Sequence, residues 1–167
     1  MTEALRARLL LAAPAVTCAG LLGTGYFLQY FQGQDPCPLC LVQRGFYYGV
    51  LVVFAIAALH LPGQRGKWVY SGLGALLAAG GLAVAARHVW LQHLPPSEVP
   101  ACGPDLFFML ENFPLQRTLQ KLLTATGQCA EVNWSFLGLS IAEWSLVWFA
   151  LLTLYALWLG FQRAPAR

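Results

Sequence analysis

Two cysteines three positions apart, with an arginine one helical turn further on, interrupt a chain otherwise poor in charge: Cys37-Pro38-Leu39-Cys40, then Arg44. A CxxC pair can hold a metal, carry a haem, staple a loop or cycle electrons. Covalent haem attachment needs a histidine directly after the second cysteine, and Leu41 stands there instead. Three further cysteines, Cys18, Cys102 and Cys129, and a histidine, His88, are the other side chains able to join such chemistry. Four cysteines can close a structural zinc site. Cys102 and Cys129, however, are spread along a long segment and do not form a second CxxC. No resident metal is therefore expected, and redox chemistry is the reading to pursue.

The elements that position these residues follow from composition. The 167-residue chain is 58% hydrophobic and only 10% charged, against about 25% charged in an average soluble domain. A helix needs roughly 20 apolar residues to cross about 30 Å of hydrocarbon. Four runs reach that length, at about 9–31, 41–61, 68–90 and 141–161. They are continuous rather than alternating, which argues against a spanning barrel. The expectation is one all-α membrane domain over 1–167, a four-transmembrane-helix bundle. The first run follows Arg6 and Arg8 but is too long for a usual signal-peptide core, so it is read as an uncleaved span.

Basic residues orient the bundle. Arg6, Arg8, Arg65, Lys67, Arg163 and Arg167 fall on one side, with Glu3 as the opposing acid. The other side holds Arg117 and Lys121 against Asp35, Glu98, Asp105, Glu111 and Glu131. Positive residues stay inside, so both termini are expected in the cytoplasm. The loops at about 32–40 and 91–135 are then expected outside. The net charge of +3 reflects topology. No basic stripe suggests nucleic-acid binding.

This topology places four cysteines outside, where disulfides persist, and leaves Cys18 within the first span as a packing residue. Four cysteines allow three pairings. Loop membership alone favours Cys37 with Cys40 and Cys102 with Cys129. Cys40 sits at the start of a helix, whose partial positive charge favours a thiolate. Arg44 shares its face, and an arginine at a membrane lip is costly without a partner. A thiolate that must be reoxidised at a bilayer edge has a quinone as its available apolar oxidant. Arg44 is placed to donate a hydrogen bond to a quinone oxygen, and His88 either to deliver protons or to anchor the interface.

The long outer loop carries prolines and a glycine around Cys102, which forbid regular helix and leave an exposed turn. Leu115, Leu119, Leu122 and Leu123 share one helical face, as in a short amphipathic interfacial helix. The apolar cluster 106–110 is expected to dip into the interface. The tryptophans of 134–144 fit an interfacial belt, and Glu143 is expected to reach water. Gly45 and Gly49, Ala19 and Gly23, and Gly20 and Thr24 have small-xxx-small spacing, which allows close helix packing.

These residues resemble the DsbB family of bacterial inner-membrane, quinone-dependent thiol oxidases. The likeness rests on four spans, Cys37-Pro-Leu-Cys40, Gln43-Arg44, Cys102, Cys129 and the stretch from Trp134 to Leu139. The resemblance implies that Cys102 enters a mixed disulfide with a DsbA-like periplasmic thioredoxin-fold oxidase, and that Cys129 is its partner. It implies that Cys37 and Cys40 reoxidise that pair, with Cys40 nearest a ubiquinone or menaquinone. Arg44 matches the family's quinone-site arginine, and His88 aligns with a histidine near the quinone. Two other classes share parts of this outline. A tetraspanin-like scaffold would have inert disulfides and no use for Arg44 beside a CxxC. An enzyme like vitamin K epoxide reductase normally carries its CxxC late in the chain.

Overall fold

The computed structural model describes residues 3–95, 97–99, 108, 111–114, 116–117, 127–132 and 134–162. Cys102, the leucines 115, 119, 122 and 123, and the cluster 106–110 apart from Phe108 lie outside the described residues.

Four long helices carry the chain: α1 (Glu3–Gln32), α2 (Pro38–His60), α3 (Gln64–Gln92) and α4 (Ile141–Phe161). All four are long and apolar enough to cross a membrane. The all-α, four-span architecture is the expected one, with α1 and α3 longer than the apolar runs alone. A 3-10 turn (Gly127–Ala130) and a small antiparallel hairpin, β1 (Ser135–Phe136) with β2 (Leu139–Ser140), precede α4. The hairpin is invisible to hydropathy. Its turn uses Leu137 at φ 53° and Gly138 at φ 81°, left-handed positions that a tight two-residue hairpin demands and that glycine adopts without strain.

Large rings on one helix meet missing side chains on another. Val50 and Phe54 of α2 and Phe149 of α4 are completely or almost completely buried. Phe54 lies against Gly74 and Phe149 against Gly81, and a Cβ at either glycine would collide with the ring. Gly80 opposes Phe46 in the same way. Without a hydrophobic drive between helices in lipid, such close approach is the main source of packing energy. The small-residue pairs read from the sequence are mostly elsewhere. A Cβ at Gly20, Gly23 or Gly45 would meet nothing within 4 Å, and only Gly49 is in contact, with Leu77. Spacing marks where a glycine permits approach; the rotation of the helix decides whether anything approaches.

Pro14 sits inside α1. Proline has no N–H, so the carbonyl four residues earlier, that of Leu10, loses its helical donor. Such a loss inside a bilayer must be repaired by the protein itself. Tyr155 of α4 does so, its hydroxyl donating to the Leu10 carbonyl at 3.1 Å. At the same end, Lys67 of α3 donates to the Gln162 carbonyl just beyond α4 at 3.2 Å.

The opposite end is closed by α4's N-terminus. Ser140 caps the helix by accepting from the Glu143 N–H, and the Glu143 carboxylate accepts from the Ser140 N–H at 2.7 Å, a reciprocal capping box. Glu143 therefore caps the helix while its side chain, 24% exposed, also reaches water as expected. Its carboxylate also stands 3.9 Å from His93. The Ser140 hydroxyl donates onward to Gln92 at the end of α3, at 2.8 Å, which fixes the hairpin over that end of the bundle.

Candidate functional site

Cys37 is the N-cap of α2 and Pro38 its first helical residue. Proline there costs no hydrogen bond, because the first amides of a helix have no internal acceptor. The Cys37 side chain makes no capping bond, and its sulfur is turned to other sulfurs instead. Cys40 Sγ lies 3.3 Å away in thiol hydrogen-bond contact. The 3-10 turn brings a third cysteine into place. Cys129 is buried with Leu39 and Leu91, and its sulfur accepts a hydrogen bond from the Leu39 amide in the first turn of α2. Cys37, Cys129 and His88 present their Sγ, Sγ and ring nitrogen within 4.8 Å of one another.

His88 is buried on α3. Its Nε2 lies 3.7 Å from Cys37 Sγ, and its Nδ1 lies 3.2 Å from the Gln43 carboxamide nitrogen. Gln43, on α2 one turn past Cys40, is itself buried. With the amide donating to Nδ1, the ring proton belongs on Nε2, directed at the Cys37 sulfur. The hydrogen bonds of Cys129, and then of Cys40, hold the Cys37 thiol well below its ordinary pKa against the opposing effect of burial. The same contact with Cys37, together with burial, pushes the Cys129 thiol well above its ordinary value. One sulfur of the cluster thus carries the negative charge, and it is the one at the helix N-terminus, where the helix dipole favours an anion.

Arg44 is anchored to α1. It donates to Gln29 Oε1 at 2.6 Å and to the Gly25 carbonyl at 3.1 Å, and its guanidinium lies 4.7 Å over the Tyr26 ring. Both donations use N–H groups of a five-donor fork. Between α1, α2 and the start of α4 a cavity of about 380 Å³ is lined by Cys40, Arg44, Cys37, His88 and Cys129. Leu21, Leu28, Tyr47 and Trp148 contribute to its apolar walls. Arg87, next to His88 in the sequence, lies with its guanidinium 4.2 Å over the Trp90 ring. Cys18 is fully buried in the bundle core, as expected of a packing residue.

The structure thus unites Cys37, Cys40, Arg44, His88 and Cys129 around one cavity. The roles of Gln43 and Gln29 had not been anticipated from the sequence. A buried glutamine within a membrane helix is itself a signal, since its amide must find partners there; nothing in the sequence says which partners.

Comparison with known proteins shows the family. The family model for disulfide bond formation protein DsbB matches residues 7–159. Disulfide bond formation protein B of Methylococcus capsulatus is 49% identical over 132 residues, covering 79% of this chain and 80% of that protein. The proteins of the same name from Hahella chejuensis and Chromohalobacter salexigens are 52% and 51% identical. They cover 78% and 84% of this chain, and 79% and 82% of their own lengths. With its four membrane-spanning helices, this chain belongs to the DsbB family of disulfide bond formation proteins.

Proposed function

We propose that this chain is a protein-disulfide:quinone oxidoreductase of the bacterial inner membrane, acting as a single integral-membrane unit with both termini cytoplasmic. It reoxidises a DsbA-like periplasmic dithiol oxidase and passes the electrons through two cysteine pairs to a membrane quinone. The distribution of basic residues supports the orientation. One observation carries the reading: Cys129 faces Cys37, while Cys37's CxxC partner, Cys40, lines a largely apolar cavity beside an arginine.

The residues present fit a quinone. Apolar walls suit its ring, and Arg44 has N–H groups beyond those bonded to Gln29 and Gly25 to offer a carbonyl oxygen. A quinone held there would supply a two-electron, two-proton acceptor for the cysteine pair beside it. Cys102 receives the attack of the substrate thiolate and releases Cys129 as the leaving thiolate. Cys129 then attacks Cys37, the sulfur it already faces, breaking the Cys37–Cys40 disulfide, and Cys40 leaves as a thiolate into the cavity. The substrate's second thiolate displaces Cys102 and leaves the substrate as a disulfide; Cys102 re-forms its bond to Cys129 and frees Cys37, so that Cys37 and Cys40 together hold the two electrons that the quinone would accept. Arg44 lines the same cavity and offsets negative charge there. The His88 Nε2–H, fixed by Gln43, steadies negative charge on Cys37 as the cycle returns.

The test is dithiol-driven quinone reduction by detergent-purified protein. Cys40→Ser should abolish it, and wild-type rates in that variant would remove the central role of Cys40. Cys129→Ser should accumulate a mixed disulfide between Cys102 and a DsbA-like protein, visible on non-reducing gels.

A further inference from the structure

We propose that in the reduced protein Cys37, Cys129 and His88 form a binding site for a thiophilic divalent cation, zinc in the first instance, and that its occupation arrests the enzyme. In the sequence, four cysteines spread over two loops spoke against zinc. The folded chain presents a different donor set, two sulfurs and an imidazole nitrogen from α2, the 3-10 turn and α3.

The geometry is close to what the metal requires. Zinc binds sulfur at about 2.3 Å and imidazole nitrogen at about 2.0–2.1 Å, so donors around a tetrahedral ion stand roughly 3.5–3.8 Å apart. Cys37 Sγ and His88 Nε2 are 3.7 Å apart, and all three donor atoms fall within 4.8 Å. Closing the set needs movements of roughly 1 Å or less. The fourth position is left to water, or to Cys40 Sγ, 3.3 Å from Cys37 Sγ.

Charge and orientation agree with the distances. Two thiolates around a dication sum to zero, the net charge a largely buried site tolerates best. Binding releases to solvent the proton that the reduced cluster still holds on Cys129. Metal-bound histidines are oriented through their other ring nitrogen, and Gln43 already holds Nδ1 of His88. A half-turn of that carboxamide offers its oxygen to an Nδ1–H, which leaves the Nε2 lone pair facing the sulfurs.

The site exists only while Cys37 and Cys129 are both reduced. Either disulfide removes a donor, so binding is gated by redox state. A bound cation blocks the sulfur-to-sulfur transfer between Cys129 and Cys37, and this consequence rests on the function proposed above. The binding itself does not, and cobalt(II) serves as a spectroscopic probe that is independent of quinone.

Protein in detergent, reduced with a phosphine, desalted without oxygen and titrated with cobalt(II), should develop thiolate-to-metal charge transfer and the intense visible bands of tetrahedral coordination. Zinc should bleach them. Cys129→Ser and His88→Gln should each weaken binding at least tenfold, while Cys18→Ala and oxidised protein report wild-type and no binding respectively. Cys129 lies on the loop side, so its substitution reads the site even where a change at buried His88 perturbs folding. Only the pale spectrum of octahedral cobalt in reduced wild type, or tetrahedral bands undiminished in Cys129→Ser, would overturn the proposal. Quinone reduction measured on the same metal-free samples decides the function separately.

Discussion

His88 Nε2 points at Cys37 Sγ across 3.7 Å, from a helix that begins 27 residues after Cys37 and with Gln43 bracing the far side of the ring. The contact joins α2 to α3 at the sulfur that Cys129 also faces. It adds to the larger effect of the Cys129 and Cys40 hydrogen bonds in making Cys37 the best-supported anion of the reduced cluster.

Cys37 should therefore react as a thiolate at unusually low pH. Its pKa is depressed, so the reactive form persists as pH falls below the ordinary thiol value of about 8.5 and is lost only through the lower folded value. Iodoacetamide labelling of reduced protein, followed by peptide mapping, should show Cys37 labelling with a midpoint below that of an ordinary thiol. Cys129→Ala removes the first of the stabilising hydrogen bonds and should shift the midpoint upward. An unchanged midpoint would show that Cys129 does not support the thiolate.

Gln43→Leu should loosen His88 without removing it. A buried ring nitrogen left without a partner costs about 1–3 kcal/mol, so the melting temperature in detergent should fall. The Cys37 labelling midpoint should also rise, which a purely structural role for Gln43 would not produce.

Arg44→Ala should raise the apparent quinone KM about tenfold, equivalent to about 1.4 kcal/mol. Gln29→Ala should shift it in the same direction by less, because the Gln29 bond at 2.6 Å only positions the guanidinium. Steady-state kinetics with a soluble quinone separate the two. If Gln29→Ala leaves KM unchanged, the α1 anchor has no part in quinone use.

Tyr155→Phe should destabilise the bundle by about 1 kcal/mol, the ordinary worth of a hydrogen bond. In a Pro14→Ala background the penalty should largely vanish, since alanine at that position supplies the N–H that the Leu10 carbonyl lacks. A double-mutant cycle on thermal unfolding in detergent measures this coupling directly.

Much was legible before folding. The four spans follow from apolar length and the low charge, because a bilayer imposes both conditions on every residue of a spanning helix. The packing role of Cys18 and the grouping of Cys37, Cys40 and Arg44 at the start of one helix follow from local rules of the same kind. Other features depended on the rotation and depth of each helix. Gly45 and Gly81 look alike in sequence, yet only Gly81 meets a ring. His88 and Arg87 are neighbours, yet one turns to Cys37 and the other to Trp90. Each residue along a helix rotates the next by about 100°, so one position separates the sulfur cluster from an outer face. Neither the meeting of Cys129 with Cys37 nor the bond from Tyr155 to Leu10 has a local signal, because each joins segments about ninety or more residues apart. Such contacts are decided by packing, where the loss of a partner in one helix is answered by whichever neighbour the fold brings alongside.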